Sequence, residues 1–458
     1  MTGMGLPLPT NLCGQGISAS LLKQHQVQFK FEFIIMKNPN NRPLGTNEKV
    51  FWALDQKSST HFAIAAELLG SASEDAWRAA IDTVQLRHPN LSVRISGNEY
   101  HSTAFESFGD CRIPLRIIHT GLGEDWTAIV EGELNEAIDL SVAPLVRTVL
   151  VQQPGKTIFI FVANHSISDG MSVALVTRDI LNAISGQSIG NLSPLPSLDG
   201  IIGLDPSDNQ TEIPSRNHSI EKPLPREKTS IAYQKFSEDE TNEIVRRSRL
   251  EQTTVHGALG AALVIALVNE QTGERPIRIM HPISARKTLN MGDDFSLLIN
   301  IVTSAYSALS GNKFWDLARE VRGSVATAQT AEWIEHDTIS SQQLFNNNLS
   351  LETILQALAA GTEHEVMLTN LGELPFESTF GPFKLLHLWG PMVLTPHLAA
   401  RTVGVATFNE KLTLTVTGLF RSTDLLERVR AILAQACGSS ADTQIGHLTH
   451  PQDSDQPR

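Results

Sequence analysis

The reading turns on TIFIFVANHSISDG, residues 157–170. Thr157 to Ala163 form a continuous apolar and aromatic run. The run is too short for a helix and lacks alternation, so it predicts a strand covered on both faces. Asn164-His165-Ser166-Ile167-Ser168-Asp169-Gly170 follows at once, and MSVALVTRDIL then shows helical spacing. A fully buried strand is a stiff mount, so a His at its end is fixed while still reachable from a cleft. The ordinary pKa of His, about 6.5, suits proton abstraction near neutral pH. Asp169 is placed either to cap the helix from Met171 onward or to pair with a distant cation. Gly170 lacks a Cβ, which lets another backbone or a ligand come close, and substrate access is its expected role. By composition alone, His-x-x-x-Asp-Gly arises in about one chain in twenty of this size. The preceding strand and following helix therefore carry as much of the reading as the motif itself.

Outward toward the N-terminus, Thr60 to Leu68 reads as a strand. Ser71 to Glu74 has capping-box spacing, and Ala76, Trp77, Ala80, Ile81, Val84 and Gln85 recur at helical intervals. Arg87-His88-Pro89-Asn90 stops that helix, because Pro lacks an N–H and disfavours α geometry just before itself. Strands are expected at 91–95 and 145–152, and a helix at 124–137. Outward toward the C-terminus, 186–228 is dense in Pro, Ser, Asn, Asp and Gly. It reads as an interdomain linker, with a lid or surface-wrapping loop as the alternative. A second periodic half then begins with a capping box at Ser237 to Glu240. Helices are expected at 237–249, 255–268, 313–330 and 423–437. Strands are expected at 278–284, 297–304, 365–369, 383–388, 402–408 and 412–419.

The 458 residues exceed what one core holds, roughly 250–300 residues. The expected organisation is an extension at 1–40, an N-terminal domain at 41–185 carrying the His motif, the linker at 186–228, a C-terminal domain at 229–445 and a tail at 446–458. Each half mixes strands and helices, an α/β sandwich arrangement occurring twice. The net charge of −13, with no long basic run, argues against nucleic acid as a partner. Three separated cysteines give neither a disulfide framework nor a CxxC pair, and no metal constellation is present. No apolar run is long enough to span a bilayer and no secretory signal is visible, so a cytoplasmic location is expected.

These residues resemble a family. His165-x-x-x-Asp169-Gly170 after a buried strand resembles the signature of the CoA-dependent acyltransferase superfamily, which includes chloramphenicol acetyltransferase and the condensation domains of peptide synthetases. Leu44 to Trp52 (LGTNEKVFW) and the helix ending in His88-Pro89-Asn90-Leu91 resemble the polyketide-associated and alcohol O-acyltransferase branch. So do Pro282-Ile283-Ser284-Ala285-Arg286 and Thr369 to Pro375 (TNLGELP) in the second half. The commonest form of the motif has two consecutive His, and here the first is Asn164.

The resemblance implies two chloramphenicol-acetyltransferase-like domains with the active-site tunnel between them. It implies that His165 is the general base, that Asp169 orients the His loop by pairing with Arg286, and that Thr369 or Asn370 supplies an oxyanion donor. No bound cofactor is implied. The co-substrate is an acyl-CoA or acyl-carrier-protein thioester, and the acceptor is a hydroxyl of a lipid, polyketide or other secondary metabolite. An acyl carrier protein or polyketide synthase is the implied partner, and a monomer is expected. An amide-forming stand-alone condensation enzyme and a non-catalytic, carrier- or ligand-binding member of the fold are the alternatives.

Overall fold

A computed structural model describes residues 41–204 and 229–438, apart from short breaks in loops. The expected extension at 1–40, the whole of the tail at 446–458 and the second part of the linker lie outside the described residues.

The first half runs β1 (Arg42–Pro43), α1 (Thr46–Asp55), β2 (His61–Leu69), α2 (Glu74–Arg87), β3 (Val93–Ser96), β4 (Ala104–Ser107), β5 (Leu115–His119), α3 (Thr127–Asn135), β6 (Val146–Gln153), β7 (Lys156–Asn164), α4 (Gly170–Ile184) and α5 (Leu198–Ile201). The second runs β8 (Ser230–Lys235), α6 (Glu238–Leu250), α7 (Val255–Val268), β9 (Ile277–Ser284), β10 (Ile299–Tyr306), α8 (Phe314–Thr327), α9 (Ala331–Asn346), α10 (Leu351–Gly361), β11 (Val366–Glu373), β12 (Thr379–Phe380), β13 (Phe383–Val393), β14 (Arg401–Phe408), β15 (Lys411–Gly418) and α11 (Thr423–Gly438).

Each half is built on a six-stranded sheet. The first has the order β12-β13-β2-β7-β6-β5 and the second β10-β9-β11-β14-β15-β8, with a small sheet β1-β4-β3 beside the first. The decisive strand, β7, is buried on both faces as its composition requires. Phe159, Phe161 and Ala163 join one apolar cluster, and Ile158, Ile160 and Val162 join another. In the second sheet, Ile279, Val366 and Leu368 face the outer helices, while Met280 and Met367 face the first half. The cluster containing Met280 and Met367 also holds Phe159, Phe161 and Val173, so one apolar core spans the two halves.

Two features depart from the expected organisation. First, β12 and β13 lie beyond the linker in sequence yet complete the first half's sheet, β13 pairing antiparallel with β2. Trp389 donates from Nε1 to Glu67 across that pairing, and Thr413 of β15 donates to the Leu388 carbonyl. One strand thus ties both sheets together. Second, the near part of the expected linker is a fixed strap. Buried Asp199 of α5 accepts from the Thr46 backbone N–H at 2.8 Å, capping α1. Leu198 packs with Ala285, Leu298 and Ile334 of the second half. A linker composition reports the absence of periodicity, and a strap held by single apolar anchors and a cap has none.

Smaller differences follow from local chemistry. Helix α2 is capped by Ser73, which accepts from Ala76 N, rather than by a box from Ser71. Helices α9 and α10 were not expected; Thr330 and Ser350 cap them, and α10 buries Ile354, Leu355 and Leu358. Among the described residues, no single helix is long and apolar enough to cross a membrane.

Candidate active site

The site is built where β7 ends and α4 begins. Asn164, fully buried, is the last residue of β7. Its Oδ1 accepts from Ser166 N at 2.9 Å and its Nδ2 donates to Asp55 Oδ1 at 3.0 Å. The amide at the position of the usual first His thus braces the turn and fastens it to the end of α1. Both contacts keep His165 at the strand end.

His165 is 9% exposed. Its Nδ1 lies 3.0 Å from the Ser168 carbonyl. A carbonyl only accepts, so Nδ1 carries the proton and the lone pair is left on Nε2. Among the described residues, Nε2 has no hydrogen-bond partner. Two phenyl rings flank the imidazole, Phe51 of α1 and Phe62 of β2, each with its centroid 4.4 Å away. Burial pushes His165 down to about 4, with the nearby Asp169 charge and the Ser168 carbonyl opposing that shift. The ring is therefore neutral at physiological pH and able to accept a proton.

Asp169 fulfils both roles open to it in the sequence. As the N-cap of α4, its Oδ1 accepts from Ser172 N at 2.7 Å. Its Oδ2 accepts from Leu298 N of the second half at 2.9 Å. Arg286 approaches Oδ1 at 3.7 Å, a long ion pair between two buried side chains. The stronger contacts of Arg286 lie elsewhere. Nη2 donates to Ser172 Oγ at 2.7 Å and to the Asp294 carbonyl at 2.9 Å, and Nη1 donates to the Gly292 carbonyl at 2.8 Å. Ser172 is the bridge that sequence reasoning missed. Its hydroxyl reaches Asp169 Oδ1 and the Ser296 carbonyl, at 2.9 and 2.6 Å, while accepting from Arg286. Its position three residues after the cap was the available signal.

Gly170 requires a correction. A Cβ there would lie 2.6 Å from Pro391 Cγ and 3.1 Å from Leu371 Cδ2. The close neighbour is thus the protein's own second half, from β13 and β11, and close packing replaces substrate access as the reason for glycine. Thr369 and Asn370 lie on β11, opposite Gly404 and Val405 of β14. The ladder slips between Asn370 and Glu373. Asn370 Oδ1 accepts from Gly372 N at 2.7 Å, and Gly372 has φ +74°, where glycine is favoured. Because Oδ1 must be the acceptor there, the Asn370 NH₂ group is oriented as a donor, and it has no partner among the described residues. The segment reaches the His loop through Leu371.

Two sheets tied by an exchanged strand, with the His loop of one half held by the other, make a fold shared with condensation domains. The chain superposes on polyketide synthase associated protein 5 from Mycobacterium tuberculosis with a TM-score of 0.63 and 14% identity, covering 87% of this chain and 98% of that one. It superposes equally, with a TM-score of 0.63 and 14% identity, on the condensation domain from Monacolin K polyketide synthase MokA, covering 88% and 99%. Residues 225–416 match the family model described as phthiocerol/phthiodiolone dimycocerosyl transferase C-terminus. Cyclosporin synthetase simA of Tolypocladium inflatum is 32% identical over 153 residues, which is 32% of this chain and 1% of that much longer protein. Tyrocidine synthase 3 of Brevibacillus parabrevis is 28% identical over 130 residues, 27% of this chain and 2% of that protein. The resemblance to the CoA-dependent acyltransferase superfamily, in its condensation-like and polyketide-associated form, rests on these likenesses together.

Proposed function

We propose that the protein transfers an acyl group from a thioester, on CoA or an acyl carrier protein, to the hydroxyl of a lipid, polyketide or other secondary metabolite, with His165 as general base. The observation that carries this reading is the neutral imidazole whose Nδ1 is held by Ser168, leaving Nε2 as a base beside the junction of the two halves. Nε2 takes the acceptor's O–H proton as the oxygen attacks the thioester carbonyl. The tetrahedral oxyanion collapses, the C–S bond breaks, and the thiolate leaves with the proton returned from the imidazolium. No covalent acyl-enzyme is required, because the thioester is already activated.

Preorganised donors near the oxyanion lower the barrier. The oriented Asn370 amide or, on the other face of β11, the Thr369 hydroxyl is the proposed donor. Asp169 and Arg286 hold the loop through Ser172 and do not touch the reacting atoms in this reading.

The test is incubation of the chain with acyl-CoA and acyl-carrier-protein thioesters and a panel of alcohols and amines, with thiol release and product mass measured. An ester product, lost in His165→Ala, is the expected result. An amide in its place makes the protein a stand-alone condensation enzyme. Thioester binding without turnover of any acceptor overturns catalysis in favour of a binding member of the fold.

A further inference from the structure

Phe51 stands apart from its neighbours on α1. Trp52 and Ala53 belong to the apolar cluster shared by the two halves, and Val50 and Leu54 pack against it. Phe51 is only half-buried, and its ring lies against His165 with the planes 12° from parallel. Phe62 meets the same imidazole at 35° and is itself locked in the sheet, paired with Ala163. The helix bearing Phe51 is fixed at both ends. Asp199 of the strap caps its start, and Asp55 at its end holds Asn164. Asn47 further donates to the Ile299 carbonyl of the second half.

Backbone hydrogen bonding holds one edge of the imidazole, while its plane can still rock about the broad Cβ–Cγ torsion. A ring stacked on its face removes that freedom and excludes water from it. We propose that Phe51 is a positioning residue, whose stacked ring sets the plane of His165 and so the direction in which Nε2 meets the acceptor. The inference rests on the reading of His165 as the base, and it makes α1 part of the working site.

The charged groups around the imidazole are few. Asp169 lies on its own loop, Asp55 acts through Asn164, and Arg286 approaches from the second half behind Asp169. On α1, Glu48 pairs with Arg42, and burial pushes Lys49 down, with the Asp199 charge opposing. The attraction of a phenyl face for a cation favours imidazolium, but burial outweighs it at His165. Removing the ring therefore admits water and moves the titration upward.

The experiment is an NMR titration of the His165 ring, assigned by its disappearance in His165→Ala, alongside kcat and KM of Phe51→Ala, Phe51→Leu and Phe51→Tyr. Phe51→Ala is expected to raise the His165 midpoint by about one unit and to lower kcat about tenfold or more, with KM for the thioester changed far less. Phe51→Tyr keeps both near wild type. Phe51→Leu, which preserves bulk without a flat face, supplies the measurement if the alanine variant does not fold. An unchanged midpoint and kcat in a folded Phe51→Ala or Phe51→Leu overturns the proposal. If instead His165→Ala leaves acyl transfer intact, the general-base reading has failed, while the titration still reports separately whether Phe51 controls the ring.

Discussion

His165 and His281 are both buried, and burial pushes both below the ordinary range, to about 4 and about 2. They differ in what their nitrogens touch. His281 sits in the middle of β9, its Nδ1 2.9 Å from His256 Nε2 and its Nε2 3.2 Å from the Tyr306 hydroxyl. Both of its nitrogens are used inside the second half. His165 sits at a strand end, with one nitrogen held by a carbonyl and the other left over. A depressed pKa therefore does not by itself single out a base; what separates His165 from His281, and supports its proposed role, is the unclaimed nitrogen at an element terminus.

The largest effect that tests this contrast is on rate. His165→Ala is expected to lower kcat about 10²–10⁴-fold with little change in the melting temperature. His281→Ala should show the reverse in thermal melts and in kcat per folded molecule, since it leaves a polar chain unpaired in the core. If His281→Ala cost as much rate as His165→Ala, the distinction would collapse.

Stability of the loop comes next. Asp169→Ala removes the cap on α4, leaves buried Leu298 N without its acceptor and takes the counter-charge from buried Arg286. Urea unfolding is expected to show a loss of about 3–5 kcal/mol. A loss below about 1 kcal/mol would reduce Asp169 to an ordinary cap.

The two histidines also act together on pH dependence. Each stays neutral in the folded chain far below about 6.5, where the unfolded chain takes up a proton. In that window the unfolded state binds more protons, so stability rises with pH and is complete above about 6.5. It is lost as pH falls toward about 4, where His165 itself protonates. Denaturation midpoints at pH 7, 5.5 and 4.5 should fall in that order. The drop should shrink in His165→Ala, and thioester turnover should fall as pH approaches about 4.

The smallest expected effect concerns the strap. Asp199→Ala removes the cap on α1 and should cost about 0.5–2 kcal/mol. Any loss of kcat beyond the loss of folded protein would show that the strap transmits order to His165 through Phe51.

Much of this site was legible before any coordinates. A continuous apolar run can only be a strand covered on both sides, and β7 occupies residues 156–164 against an expected 157–163. The Ser237 capping box and the largely apolar α7 were equally readable, because both depend on neighbours within one or two turns. What failed to show was non-local. Nothing in FKLLHLWGPMV announces that β13 joins the other half's sheet. Phe51 looks like any aromatic on a helix until its ring is found on His165. Ser172 became visible only once Arg286 was seen to reach it.

The sequence by itself determined the mount, the proposed base and the turn: the strand, His165 at its end, and Asp169 at the start of the next helix. These follow from burial pattern, side-chain chemistry and capping, which operate over a few residues. Only the tertiary structure decided which groups stand around the base. Pro391 and Leu371 against Gly170, Leu298 N on Asp169 and Phe51 on the imidazole all come from segments distant in sequence. Their meeting is set by the shared apolar core and the exchanged strand, and such contacts leave no local pattern from which they can be read.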